Sequence, residues 1–69
     1  MVFKLTLIED YMKMYNISKR QFAKRCDVPY VVIEKIFKQQ GNFKHDYIFN
    51  LANVLNVTVS ELFMTNEDS

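Results

Sequence analysis

Residues 17–37 constrain this chain more than any other stretch, because they must hold two amphipathic helices with only a tight turn between them. The first opens with Ser18-x-x-Gln21, in which the Ser18 hydroxyl accepts from the Gln21 N–H and the Gln21 side chain reaches back to the Ser18 N–H. Ile17 and Phe22 take the staple positions around this capping box. Ala23 leaves a small surface where the second helix crosses closely. Asp27 tolerates the left-handed conformation of a sharp helix exit, and Pro29 suits the first turn of the next helix. Helical spacing then turns Val28, Ile33 and Ile36 to the core and Tyr30, Val31, Glu34, Lys35 and Lys38 outward. The stretch predicts a helix-turn-helix, with helices over 19–26 and 29–38.

The flanking sequence supplies the rest of one helical domain. Thr6 and Glu9 form a capping box ahead of Ile8, Tyr11, Met12 and Tyr15, which predicts a first helix over 7–15 ending at Asn16. Gln39-Gln40-Gly41-Asn42-Phe43 is polar, holds the single glycine and reads as a loop. A fourth helix over 44–55 follows, with Ile48, Leu51, Ala52 and Leu55 on one stripe, Asn42 as capping residue and Asn56 at its end. Thr58 and Glu61, stapled by Val57 and Leu62, open a short fifth helix over 59–63, and a tail over 64–69 without periodicity is expected to fray. Val2, Phe3 and Leu5 could instead pair as a short strand, but a lone strand has no evident partner. The expectation is therefore an all-α, compact five-helix domain.

Sixty-nine residues make one domain with one core, and a chain this short buries only about 60% of its unfolded surface. With 49% hydrophobic and 25% charged residues the chain reads as globular. It contains no apolar run of membrane-spanning length, and its first residues lack the features of a signal peptide, so it is expected to stay in the cytoplasm. One cysteine excludes an intramolecular disulfide, and Cys26 falls at a core position. His45 is the single histidine and has no metal-ligand spacing around it. With no phosphate loop and no nucleophile–base pairing, the chain is expected to be neither an enzyme nor a cofactor or metal binder.

The net charge of +1 hides an uneven distribution. Residues 19–44 carry seven basic side chains against two acidic ones, whereas residues 45–69 carry four acids and no Lys or Arg. One face should attract polyanions and another should not. Lys19, in the first turn of the second helix, is placed to grip a phosphate beside free backbone N–H groups, with Arg20 and Lys24 flanking it. The third helix presents Tyr30 and Val31 first, then Glu34 and Lys35 one turn later. Lys35 can donate to guanine, Tyr30 to a base or phosphate, and Val31 can pack on a thymine methyl. The competing reading of Tyr30-Val31-Val32 is an apolar patch that binds protein.

From Leu7 to Phe63 the chain resembles the phage repressor and Cro family, the xenobiotic-response-element type of DNA-binding domain. The resemblance is carried by Ile17-Ser18, Phe22-Ala23, Val28, Ile33, Ile36, Leu51-Ala52, Leu55, Val57, Val59 and Glu61-Leu62 in the family's order and spacing. It implies a five-helix domain of bacterial or phage origin that binds operator DNA as a transcriptional regulator, commonly as a two-fold dimer. Carried over by position, Lys19 stands at a phosphate contact, and Tyr30, Val31 and Lys35 stand where bases are read, with Glu34 beside them. Lys38, Gln40, Asn42 and Lys44 cover the loop that touches the backbone. Asn16, Asp27 and Asn56 replace glycines usual at helix ends; Pro29 replaces a Ser or Thr cap, Phe37 a Glu and Phe43 a loop Pro. A weak homodimer through Phe43, Val57 and Val59 is the candidate self-association. The alternative is the same fold used as a protein-interaction module, an antirepressor or a toxin-neutralising partner.

Overall fold

A computed structural model describes residues 2–64. Along the chain they form β1 (Val2–Phe3), α1 (Leu5–Tyr15), α2 (Lys19–Cys26), α3 (Tyr30–Phe37), α4 (His45–Leu55), a single 3-10 turn (Ser60–Leu62) and β2 (Phe63–Met64). The helices enclose one core whose fully buried side chains are Ile8, Phe22, Cys26, Ile33, Ile36, Leu51 and Leu62. Among the described residues no polar or charged side chain is buried, so the core closes on apolar contacts alone.

The α2 boundaries match expectation because the chain encodes both ends locally. Ser18 N–H donates to Gln21 Oε1 at 2.8 Å and Gln21 N–H donates to Ser18 Oγ at 3.2 Å, which completes the predicted box. The helices also leave by a common device. Asn16, Asp27, Gln39 and Asn56 each take a left-handed φ between 54° and 58°. The next residue's N–H then turns back to a carbonyl five positions earlier, as in Ile17 to Met12, Val28 to Ala23, Gln40 to Lys35 and Val57 to Ala52, each at 3.0 Å. Asn and Asp visit this region at low cost, which explains why glycine is dispensable at those exits.

Several expectations are corrected. The domain is not wholly α-helical, since β1 pairs antiparallel with β2 in the register Val2 to Met64 and Phe3 to Phe63. The partner missing from the sequence pattern is the chain's other end. Met64 therefore belongs to a strand and not to a frayed tail, and the remainder of that expected tail, 65–69, lies outside the described residues. Four α-helices form among the described residues, and the expected fifth is one 3-10 turn, because extended backbone resumes at Phe63 to meet β1. Its capping pair does form: Thr58 N–H donates to Glu61 Oε1 at 2.7 Å and Glu61 N–H to Thr58 Oγ1 at 3.2 Å.

The Thr6–Glu9 box does not form. Lys4 N–H is held by the Leu62 carbonyl at 2.7 Å, so the strand runs straight into α1 at Leu5 and Thr6 is already helical. Asn42 does not cap α4; Lys44 holds that position through its backbone carbonyl, with no side-chain cap. Pro29 stands at the cap of α3 with extended backbone, φ −62° and ψ 145°, and Lys38 closes that helix, so α3 is one residue shorter at each end than the predicted span.

Phe3 joins these parts. Its ring packs 4.7 Å from Phe63 and edge-on to Phe43 at 5.4 Å. The Phe3–Phe63 pair is the type whose backbone groups face away from the neighbouring strand. The Gln39 carboxamide fills that vacant edge, with Phe3 N–H donating to Oε1 and Nε2 donating to the Phe3 carbonyl, both at 3.0 Å. A side chain thus serves as a third strand one residue wide, and it ties the exit of α3 to the N-terminus. Gln39→Ala removes both bonds and should destabilise the domain by about 1–2 kcal/mol, a fall in Tm of roughly 5–15 °C for a chain of this size. Thermal unfolding followed by circular dichroism checks this; an unchanged Tm would mean that the two bonds contribute nothing net.

Candidate DNA interface

The turn between α2 and α3 is short and fully specified. Asp27 leaves α2 in the left-handed region, Val28 drops into the core while its N–H returns to Ala23, and Pro29 delivers an extended cap whose carbonyl accepts from Val32 at 3.0 Å. Ala23 is buried on α2, and its small side chain lets a neighbouring helix approach closely. Val32, Ile33 and Ile36 anchor α3 from below. Val31 and Lys35 are left on the exposed side, with Glu34 half-buried beside them.

The proposed contact residues divide by position. Lys19, Arg20 and Lys24 are exposed along α2, where Lys19 and Arg20 lie over α3 rings, and Lys38, Gln40, Asn42 and Lys44 are exposed along the segment after α3. Gly41 allows that segment to turn at φ 82°, and the Lys35 Cδ lies 3.7 Å from where a Cβ on Gly41 would stand. The Lys35 stem therefore leans along the loop. Val31 is 52% exposed, which is consistent with its outward placement, whereas Val32 is buried and drops out of the apolar patch considered from sequence. Tyr30 is half-buried, its ring covered on one face by Arg20 with Cζ 4.3 Å from the centroid.

Arg25, also in the basic segment, is committed elsewhere. Its Nη1 donates to the Tyr11 hydroxyl at 3.1 Å, and its guanidinium lies 5.1 Å from the Tyr15 ring at the end of α1. Sequence reasoning passed over Phe37 as part of the interface. That ring is half-buried beneath Lys19, whose Nζ lies 4.4 Å from its centroid. The available signal was the seven-residue interval from Tyr30, which returns to the same side of a helix. Of the candidate dimer residues, Phe43, Val57 and Val59 are all half-buried and packed against the core.

Other chemistry is sparse among the described residues. No group of three potential metal ligands forms, and no helix is long and apolar enough to cross a membrane. Cys26 is 2% exposed, and burial pushes its thiol up to about 12, which keeps it neutral and unreactive. Glu61 carries the opposite shift. The Thr58 backbone and hydroxyl bonds hold its carboxyl below the usual glutamate range.

Two short helices, α2 and α3, joined by the tight turn Asp27-Val28-Pro29, with an exposed face on the second, are the architecture of a helix-turn-helix. The family model described as Helix-turn-helix matches residues 8–62, nearly the whole folded span. The chain belongs to this helix-turn-helix family, the repressor and Cro type of DNA-binding regulatory domain. No curated protein and no solved structure gives a significant match.

Because only a thiolate is nucleophilic, Cys26 in the native protein should resist iodoacetamide at neutral pH and react once urea unfolds the chain. Mass spectrometry of the two samples checks this, and modification of the native protein at the unfolded rate would contradict the buried assignment.

Proposed function

We propose that the protein is a sequence-specific transcriptional regulator that occupies an operator by laying the outward face of α3 in the major groove. The observation that carries this reading is the pairing of an exposed α3 face, bearing Val31 and Lys35, with Lys19 and Arg20 of α2 held against the rings of Phe37 and Tyr30 beside it. Lys19, Arg20 and Lys24 on one side, and Lys38, Gln40, Asn42 and Lys44 on the other, serve as phosphate contacts. Val31, Glu34 and Lys35 meet the base edges, and Tyr30, whose ring face is taken by Arg20, reaches a base or phosphate through its hydroxyl alone. Lys19 and Arg20 at the start of α2 oppose its dipole, an arrangement that a bound phosphate relieves. Residency in the cytoplasm of a bacterium, or of a phage-infected one, follows from this role.

The domain measures 34 × 24 × 20 Å, so one copy spans about one turn of duplex and reads one half-site. A symmetric pair, weak in free solution and formed on DNA, supplies the second half-site. Phe43, Val57 and Val59 form the contact. Phe49, 54% exposed, extends it across a pocket of about 290 Å³ that it lines with His45, Ile48, Val59 and Phe63. Phe43 also supports Phe3, so Phe49 is the cleaner site for a test.

A second reading, a protein-interaction module, draws on the exposure of Val31, since an aliphatic side chain suits a protein surface as well as a thymine methyl. Selection of bound sites from random duplex, followed by gel shift across a salt series, separates the two; an absence of retained duplex at low salt favours the protein partner.

Lys38→Ala should weaken binding to all duplexes alike and reduce the slope of log K against log salt by about 1. Lys35→Ala should cost roughly 1–3 kcal/mol on the selected site with little loss on random duplex; equal loss on both would reassign Lys35 to the backbone. Phe49→Asp should lower affinity for a palindromic site far more than for a half-site while preserving helical content. One chain per palindrome by sedimentation would refute the dimer.

A further inference from the structure

The two consecutive cations that open α2 do not extend freely into solvent. Lys19 Nζ sits 4.4 Å from the centroid of Phe37, and Arg20 Cζ sits 4.3 Å from the centroid of Tyr30. Tyr30 and Phe37 are the first and last residues of α3 and lie seven positions apart, which brings them within about 20° of each other around the helix axis. They form an aromatic stripe on the flank of α3 that meets the start of α2. Both rings are half-buried and packed against the core, so they are fixed platforms, whereas the side chains above them are long and exposed.

We propose that Phe37 is a positioning residue for DNA binding, and Tyr30 its counterpart, holding Lys19 and Arg20 in place to receive the phosphate backbone; this rests on the operator-binding reading above. The chemistry favours a ring over a carboxylate. An aromatic face attracts a cation without neutralising it and without consuming its N–H donors. A stacked guanidinium keeps its in-plane fork free for a phosphate, and an ammonium over a ring keeps donors pointing away from it. A carboxylate in the same place would bond those donors and cancel the charge on which counterion release depends. An untethered lysine would surrender its rotamer freedom on binding, whereas a docked one has surrendered much of it in the free protein.

The test is a double-mutant cycle on duplex affinity. Phe37→Leu keeps an apolar side chain of similar reach but removes the ring, and should weaken binding of a selected duplex roughly two- to five-fold, with Phe37→Tyr restoring it. In a Lys19→Met background Phe37→Leu should have no further effect, because the ring acts through the lysine. A purely structural role would give the same loss in both backgrounds, and that result, or an affinity unchanged by Phe37→Leu alone, overturns the proposal. Ring-current shifts give a readout without DNA. The Lys19 ε-methylene protons should resonate upfield in the wild type and move to ordinary positions in Phe37→Leu, and their failure to move overturns the docked geometry. A wild-type chain that retains no duplex at low salt overturns the operator-binding reading instead, and is distinguished by failing before any substitution is made.

Discussion

The helix-turn-helix of this protein depends on the close crossing of α2 over α3. Ala23 makes that crossing possible by occupying little volume, and the three-residue passage Asp27-Val28-Pro29 leaves the second helix little freedom of direction. Asp27 supplies the reversal, Val28 supplies an apolar anchor, and Pro29 supplies an extended approach with no N–H to satisfy. A bulkier residue at position 23 would separate the helices and move every outward side chain of α3 relative to the cations on α2. The apolar set Val32, Ile33 and Ile36 completes the constraint, because burial of these three dictates which face of α3 remains outside.

A second constraint runs through Phe3. A domain of this size has few layers with which to close its core, and here the chain ends perform that closure. The β1–β2 pair brings the Phe63 ring against Phe3, while Phe43 approaches from the loop after α3. The Gln39 carboxamide then satisfies the strand edge left open by the pairing. Gln39 takes a left-handed conformation less natural for glutamine than for asparagine, and its two bonds to Phe3 offset that cost. The exit of α3 is thereby coupled to the β1–β2 pair, and the loop carrying Gln40 and Asn42 departs from a fixed point.

Charge and aromatic content act together on the basic side of the molecule. Lys19, Arg20, Arg25 and Lys44 each lie over or beside an aromatic ring. Such contacts steady long side chains without neutralising them, so the local positive potential is retained. The four acidic side chains of residues 45–69 come after this segment in the sequence, so the positive charge is concentrated in the stretch that holds α2 and α3.

What the sequence by itself determined were the features encoded within a few residues. The Ser18–Gln21 and Thr58–Glu61 boxes, the span of α2, the left-handed exits at Asn16, Asp27 and Asn56, and the burial of Ile33 and Ile36 in α3 all follow from local spacing and capping chemistry. Tertiary structure decided the rest. Thr6 and Glu9 match a capping box, yet the Leu62 carbonyl takes Lys4 N–H and starts the helix earlier. Val2 and Phe3 carry no visible partner in their own neighbourhood, because the partner is Phe63 and Met64, some sixty residues away. Phe37 reads as one more apolar residue until α2 is laid beside it and Lys19 is found on its face. Each of these outcomes joins residues distant in sequence, where the deciding free energy belongs to a contact that exists only once the core has closed.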